Sequence, residues 1–330
     1  MRNIAGNALT VLVVAGLVLL IAVGYAKRQF SAPGPLEEEV VVLIPRGADL
    51  RDTSRQLALH GAIENTSGSE WLFRVGARYS DEDSAIRYGE YRIPAKASME
   101  EILDLLVSGK AIQHKVTVAE GLSSYEVAEL LRGSEILTGE IADVPPEGSL
   151  APETYFIERN MSRKEVVERM TSAQKAILDE AWAGREEGLP LQSPEEVLIL
   201  ASIVEKETGV ASERAKVASV FVNRLRRGMK LQSDPTVVYG ITEGKGPLGR
   251  GLRRSELDRA TPYNTYAVNG LPPTPIANPG RDAIMAVVNP DETDFLYFVA
   301  DGSGGHAFAK TLEEHNKNVS EWRKIENNNN

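Results

Sequence analysis

The chain opens with a long apolar stretch. No charged side chain occurs from residue 4 to residue 26, and residues 9–23 are almost entirely aliphatic. About 20 apolar residues in a helix span the hydrocarbon core of a bilayer. We therefore predict a membrane anchor over residues 1–28. The alternative is a cleaved signal peptide, for which residues 24–26 make a poor cleavage site.

After the anchor the pattern changes to short apolar runs separated by polar turns. A linker rich in Pro and Gly covers residues 29–38, and a small module follows over residues 39–112. The spacing of its apolar residues predicts two strands, at 39–45 and 89–93, and three helices, at 49–60, 69–78 and 98–109. Ser98 begins the last helix with Glu101 three residues later, which is the capping-box pattern.

A larger region over residues 113–325 shows the same mixture of elements. At its start we predict a strand at residues 115–119, a helix capped by Ser123 or Ser124 that runs through Leu131, and a long helix at residues 162–184. The terminal run of Asn predicts a disordered tail over residues 326–330. The expected fold class is α+β: an N-terminal transmembrane helix, a small α+β module and a larger mixed α+β domain.

One further helix combines an apolar body with acidic residues at its end. It starts at Ser193, with Pro194 in the first helical position, and runs to Thr208. At about 100° per residue, Glu207 lies on the same flank as the apolar residues 200, 203 and 204. A carboxyl in such surroundings, near the negative end of a helix dipole, should have a raised pKa, as a general acid requires. The alternative is a surface or ion-paired Glu at a helix end.

Composition narrows the classes of function. The formal net charge is −10, and phosphate binding needs a basic surface, so nucleic acid is not an expected partner. The chain has no Cys, which excludes disulfides and Cys-based zinc sites. Its four His residues form no metal-binding pattern, and no Gly-rich phosphate loop or Gly-x-Ser-x-Gly elbow occurs. We therefore predict no metal and no cofactor.

A series of motifs follows along the second half of the chain. They are Ala201-Ser-Ile-Val-Glu-Lys-Glu-Thr208, Ala218-Ser-Val-Phe-Val-Asn-Arg-Leu225, Leu231-Gln-Ser-Asp-Pro-Thr-Val-Val-Tyr-Gly240, Pro262-Tyr-Asn-Thr-Tyr266, Asn278-Pro-Gly280 and Gly305-His306-x-Phe308. In order and spacing, residues 115–322 resemble the endolytic murein transglycosylase (YceG-like) family. The preceding module and the anchor are of the same types as those found in that family.

The resemblance implies a lytic transglycosylase that cleaves the MurNAc-β-1,4-GlcNAc bond of peptidoglycan and leaves 1,6-anhydroMurNAc ends. It also implies a single-pass protein of the cell inner membrane with its body in the periplasm. Cutting nascent strands would limit their length, and penicillin-binding synthases are then expected partners.

The resemblance also assigns candidate roles to residues. The catalytic Glu of lytic transglycosylases is typically followed by Ser or Thr, which selects Glu207 and leaves Glu205 as a structural or substrate-orienting residue. We interpret His306 as a turn or loop histidine. The candidate substrate-binding residues are Gln232, Asp234, Tyr263, Asn264, Tyr266, Glu205 and Glu153.

Some of these candidates have alternative roles. Asp234 also fits the N-cap of a short helix. Asn264 could bind an N-acetyl group, although ordinary turn chemistry explains its loop equally well. Glu153 departs from the family pattern, in which many members have Asp in a Pro-Asp-Thr-Tyr run, because its side chain is one methylene longer.

The module over residues 39–111 resembles the LysM-like unit that precedes the catalytic region in this family. Its order of elements suits a small glycan-binding fold, and a simple spacer is the alternative. For the whole chain two other functions stay open. One is a hydrolytic muramidase that uses Glu207 with a second acid such as Asp234, and the other is a membrane-tethered, non-enzymatic peptidoglycan-binding protein.

Overall fold

A computed structural model describes residues 2–329 of the chain. The chain divides into two compact units. The first comprises the chain up to His114 together with Phe156–Asn160, and the second comprises Lys115–Tyr155 and the chain from Met161 onward. The second unit contains the helix that ends in Glu207.

The first unit begins with helix α1 (Arg2–Phe30). Its segment Thr10–Phe30 has a mean hydropathy of 2.2 and is long and apolar enough to cross a membrane. The aliphatic side chains from Val11 to Val23 are exposed, which is costly in water and favourable in lipid. The helix covers the predicted anchor from Arg2 onward and continues two residues beyond it, to Phe30, while residue 1 lies outside the described residues.

The rest of the first unit contains strands β1 (Val40–Ile44) and β2 (Gly89–Ile93) and helices α2 (Leu50–Leu59), α3 (Ser67–Tyr79) and α4 (Met99–Ser108). The two strands pair antiparallel, with Val42 opposite Tyr91. Both side chains are buried in one core with residues from all three helices. Ser98 forms the predicted capping box with Glu101, and Gly109 ends α4 in the left-handed conformation.

The second unit is mostly helical. Its helices are α5 (Ser124–Arg132), α6 (Arg163–Ala183), α7 (Pro194–Glu207), α8 (Arg214–Arg226), α9 (Asp234–Thr242), α10 (Arg254–Leu257), α11 (Arg281–Val288) and α12 (Leu312–Asn329), with a 3-10 turn at Ala211–Glu213. Its short strands β5 (Tyr297–Ala300) and β6 (His306–Ala309) pair antiparallel. Strands β3 (His114–Thr117) and β4 (Thr154–Ile157) each have residues in both units, with His114, Phe156 and Ile157 in the first.

Helix α7 lies at the centre of the second unit. All positions from Val197 to Val204 except Leu198 are buried, because α6, α8 and α11 pack around the helix. A helix that is apolar on all sides is a core helix. The predicted start of α7 at Ser193 is confirmed, since the Ser193 hydroxyl accepts the Glu196 N–H. The core therefore fixes the position of the last residue, Glu207.

Three local predictions were wrong. Asp234 is the first residue of α9 rather than its N-cap, which is Ser233. His306 opens strand β6 instead of lying in a turn, because its backbone pairs with Ala300. Residues 326–329 of the predicted tail continue helix α12, since no Gly or Pro interrupts the sequence there, and residue 330 lies outside the described residues.

Candidate active site

Glu207 is the last residue of helix α7. Thr208 leaves the helix with an extended backbone (φ −143°, ψ 128°) and is almost fully buried, so the chain turns away directly after Glu207. The carboxyl therefore lies at the negative end of the helix dipole. This position disfavours the ionised form of the side chain.

The Glu207 carboxyl has one hydrogen-bond partner within the part of the chain that the structure describes. Ser233 Oγ donates to Glu207 Oε1 over 2.6 Å. Burial raises the pKa of the Glu207 carboxyl, the Ser233 hydrogen bond lowers it, and the negative charge of Asp234 raises it. The net shift is upward, which confirms the raised pKa predicted for Glu207. Such a carboxyl can hold a proton closer to neutral pH than an ordinary Glu.

A buried group of hydroxyls fixes Ser233. The Ser233 N–H donates to Thr265 Oγ1 (3.0 Å), and Thr236 Oγ1 donates to the Ser233 carbonyl (2.7 Å). Thr236 and Thr265 are themselves joined through their hydroxyls (2.9 Å). All three side chains have no exposed surface. The Ser233 hydroxyl is therefore held in place by the fold.

Asp234 and Tyr266 form a second polar pair near Glu207. The Tyr266 hydroxyl donates to Asp234 Oδ1 over 2.6 Å. Burial raises the pKa of Tyr266, and the charges of Asp234 and Glu207 raise it further. Asp234 is exposed, as is Gln232, whose backbone is left-handed (φ 51°). The structure thus places three of the predicted substrate-binding residues close to Glu207 or to its Ser233 partner.

Two further residues near Glu207 were not predicted as site residues. Electrostatic interactions with His306 and Arg224 both lower the pKa of the Glu207 carboxyl. His306 Nδ1 is bonded to Glu213 Oε2 (2.8 Å), and the His306 N–H donates to Glu213 Oε1 (3.1 Å). The buried Arg224 donates to the carbonyls of Leu296 and Leu231. Both residues lie inside motifs that carry the family resemblance, and that was the signal available in the sequence.

The structure gives Asn264 a different role from the predicted one. Its side chain is fully buried, and its Nδ2 donates to the carbonyls of Glu256 (3.1 Å), Leu257 (3.0 Å) and Arg259 (2.6 Å). Its Oδ1 accepts the Tyr266 N–H (2.9 Å). In this geometry the amide braces the loop, and a contact to an N-acetyl group is not available to it. These contacts match the alternative role given to Asn264, in which its side chain stabilises a turn.

Tyr263 is half-buried beside the same loop. Its hydroxyl is bonded to Thr274 Oγ1 (2.7 Å), and its ring lies 5.0 Å from the ring of Tyr239 on α9. Tyr263 therefore packs the 261–266 loop against α9.

Glu205 belongs to a different cluster. Its Oε2 accepts the Gly280 N–H (2.9 Å) at the start of α11, and its Oε1 lies 4.0 Å from Arg214 Nη2. Burial raises the pKa of the Glu205 carboxyl, and the Gly280 hydrogen bond opposes that shift. Glu153 has an exposed side chain whose charge acts on Arg281, also at the start of α11. Neither carboxyl is among the charges that act most strongly on Glu207.

Comparison with known proteins bears on what this site does. The YceG-like family model matches residues 42–321, most of the chain. The chain belongs to the YceG-like family. The match confirms the resemblance carried by the sequence motifs.

Relatives of this YceG-like chain include curated proteins and a solved structure. It is 29% identical to the endolytic murein transglycosylase of Bacillus subtilis over 86% of both chains. It is 28% identical to that of Streptococcus pneumoniae D39, with 92% of this chain covered but only 63% of the relative. A crystal structure of a yceG-like protein from Listeria monocytogenes is similar with a TM-score of 0.51 and 28% identity, over 85% of this chain and 99% of that one.

Proposed function

We propose that this chain is an endolytic lytic transglycosylase that cleaves the MurNAc-β-1,4-GlcNAc bond of peptidoglycan glycan strands, with Glu207 as its single acid and base. The observation that carries the proposal is the Glu207 carboxyl at the end of the buried helix α7. Burial raises its pKa, and the hydroxyl of Ser233 holds one of its oxygens. The names of the relatives support the same reaction.

The first step requires a proton donor. Ser233 donates to Oε1, so Glu207 carries its proton on Oε2 and delivers it to the oxygen between MurNAc C1 and GlcNAc. The bond from C1 to that oxygen breaks through an oxocarbenium-like transition state, and GlcNAc leaves with a new hydroxyl. The carboxylate that forms is stabilised by the Ser233 hydrogen bond and by electrostatic interactions with His306 and Arg224.

The second step uses the same carboxyl as a base. The Glu207 carboxylate removes the proton from the C6 hydroxyl of the same MurNAc, and O6 bonds to C1. The product is a 1,6-anhydro end, and Glu207 regains the proton that it gave away. No water is consumed, so no second carboxylate is needed to activate one. Proton transfer of this kind contributes about 10²–10⁴-fold, and positioning of the strand contributes the rest.

Substrate contacts are proposed for three polar residues beside Glu207, of which Gln232 and Asp234 are exposed and Tyr266 is half-buried. Gln232, Asp234 and Tyr266 present an amide, a carboxylate and a phenol, which suit hydroxyl and N-acetyl groups of sugars. Tyr263 and Asn264 shape the loop that carries Tyr266. Glu205 is proposed to orient helix α7 through its bond to Gly280 rather than to touch the strand.

We also propose where the enzyme works. Helix α1 spans the inner membrane once, with the N-terminus inside and the body in the periplasm, where glycan strands are made. The module over residues 39–112 is LysM-like and binds the strand, and penicillin-binding synthases are partners. Co-purification of the membrane-extracted protein with such a synthase tests the partnership, and absence of association would count against it.

The test of the reaction is the chemistry of the new strand ends. We expect mass spectrometry of digested, uncross-linked glycan strands to show 1,6-anhydroMurNAc ends. Reducing MurNAc ends would instead indicate a hydrolytic muramidase in which a second acid such as Asp234 activates water. No cleavage by the folded wild-type protein, together with strand binding, would indicate a non-enzymatic binding protein.

A further inference from the structure

Helix α3 of the first unit carries an exposed apolar stripe. Trp71, Val75 and Tyr79 follow one another at four-residue intervals, and their relative exposures are 58%, 39% and 90%. Residues four apart lie on one face of a helix. The opposite face of α3 supplies the buried side chains Phe73 and Ala77 to the module core. The three side chains of the stripe therefore do not contribute to the module core.

The stripe lies beside the contact between α3 and the anchor. The ring of Phe30, the last residue of α1, packs directly on Gly76, and an added Cβ at Gly76 would overlap that ring. At about 100° per residue, Gly76 and Tyr79 are about 60° apart around the α3 axis. The exposed stripe thus borders the face on which the membrane helix ends.

Charges near the stripe suit a lipid headgroup layer. Lys27 and Arg28 lie in the last turn of α1. Arg74 and Arg78 form a row along α3 on the side of the stripe away from Gly76, and the Arg78 side chain is 74% exposed. Trp and Tyr are enriched at membrane–water interfaces, where Lys and Arg extend toward the headgroups. An aromatic stripe with a basic border is the pattern of a helix that lies in that interface.

We propose that Trp71, Val75 and Tyr79 insert into the interfacial region of the same bilayer that α1 crosses, so that α3 lies on the membrane surface. The proposal rests on the proposed membrane anchoring of α1. Its consequence is a second membrane contact, which fixes the first unit at the membrane and limits its rotation about the end of α1. Lipid is favoured over a second copy of the chain because α3 packs on Phe30 at the end of α1, the helix that is long and apolar enough to cross a membrane.

The experiment uses the full-length protein in liposomes and the fluorescence of Trp71. The chain has three Trp residues, so Trp182→Phe with Trp322→Phe leaves Trp71 as the single probe. We expect blue-shifted emission, strong quenching by lipids brominated near the headgroup end of the acyl chain, and weak quenching by aqueous iodide. If the double variant does not fold, the difference between wild type and Trp71→Phe gives the same signal.

A matched control separates failure of this proposal from failure of the anchor. Val18→Trp in a background without the three native Trp residues reports on the middle of α1. Quenching of that probe by deeply brominated lipids, with Trp71 red-shifted and open to iodide, would leave the anchor in place and overturn the docking of α3. Trp71 shielded from iodide but not quenched by any brominated lipid would indicate a protein occupant such as a second copy, and would also overturn it. Absence of quenching at both probes would overturn the anchor and the docking together.

Discussion

Ser233 Oγ lies 2.6 Å from Glu207 Oε1 and donates a hydrogen bond to it. The two residues are 26 positions apart in the chain, and the buried hydroxyls of Thr236 and Thr265 hold the donor in place. The contact makes the two carboxyl oxygens of Glu207 unequal, because Oε1 already accepts the Ser233 hydrogen bond. A charge-assisted bond of this kind stabilises the ionised carboxyl, which forms as the proton leaves.

Replacement of Ser233 by Ala should slow the reaction and shift its pH dependence. A hydrogen bond to a charged group contributes about 1.5–3 kcal/mol, so kcat should fall roughly 10- to 100-fold. The bond lowers the pKa of Glu207, so its loss should raise that pKa further. Activity requires the protonated acid and falls as pH rises through this pKa. The falling limb of the kcat/KM profile should therefore move to higher pH in Ser233→Ala.

Ser108→Ala is the control for this variant. It removes an exposed hydroxyl that donates to the Leu105 carbonyl in the first unit, so its profile should match that of wild type. A Ser233→Ala profile with an unchanged falling limb would show that the hydroxyl does not act on the titrating group.

Replacement of Asp234 by Asn should shift the profile in the opposite direction. The charge of Asp234 raises the pKa of Glu207, so its removal should move the falling limb to lower pH. Asn keeps an oxygen that can accept the Tyr266 hydroxyl. The turnover rate should stay within about tenfold of wild type, because a single-acid mechanism gives Asp234 no proton to move. A loss of about 10²-fold or more, combined with reducing-end products from wild type, would instead identify Asp234 as a second catalytic acid.

Glu207→Gln should stabilise the protein at neutral pH. The folded-state pKa of Glu207 is raised, so between its unfolded and folded values the native state binds more protons than the unfolded state. Stability therefore falls as pH rises through that window, and the penalty is complete above the folded pKa. Gln cannot ionise, so the variant should have a higher Tm than wild type at pH 8, by roughly 2–4 °C for each kcal/mol. The difference should shrink below pH 4.5.

Thermal unfolding at the two pH values checks this expectation. Glu153→Gln changes an exposed carboxyl and serves as the matched control, with little effect expected on Tm at either pH. A Tm of Glu207→Gln at or below that of wild type at pH 8 would show that the Glu207 carboxylate is well stabilised in the fold.

The parts of this structure that depend on neighbouring residues could be predicted from the sequence. Ser98 and Ser193 cap helices as expected, and of the two candidates Ser123 and Ser124 it is Ser123 that caps α5, because a cap depends only on the three following residues. The flank of α7 that carries Glu207 also follows from helical periodicity alone. The apolar run at the N-terminus predicted a single long helix for the same reason.

Contacts between distant segments could not be predicted in this way. Glu213 and His306 are 93 residues apart, and nothing in either local sequence indicates their pairing. The local sequence around Asn264 predicts only a turn. The folded loop brings three backbone carbonyls within hydrogen-bonding distance of its amide. The local sequence does not identify Ser233 as a site residue. Its hydroxyl gains its role only when α7 and the 231–236 segment meet in the fold.

Asn264→Ala should act on stability rather than on substrate affinity. The variant leaves three part-buried carbonyls and the Tyr266 N–H without their amide partner, and an unsatisfied buried group costs about 1–3 kcal/mol. We expect a loss of about 3 kcal/mol or more in the free energy of unfolding, measured by urea titration. Asn269→Ala changes an exposed amide on the same loop and should cost little. A stable Asn264→Ala protein with a raised KM would restore the predicted substrate contact.

The central claim is that Glu207 gives and then regains the proton of the reaction, and the rate of strand cleavage by Glu207→Gln tests it most directly. Purified wild type and variant should be compared on uncross-linked glycan strands, with the release of 1,6-anhydro ends followed by mass spectrometry and folding checked by Tm. We expect the folded variant to lose about 10²–10⁴-fold or more in the rate of strand cleavage. Cleavage by Glu207→Gln at the wild-type rate would contradict it.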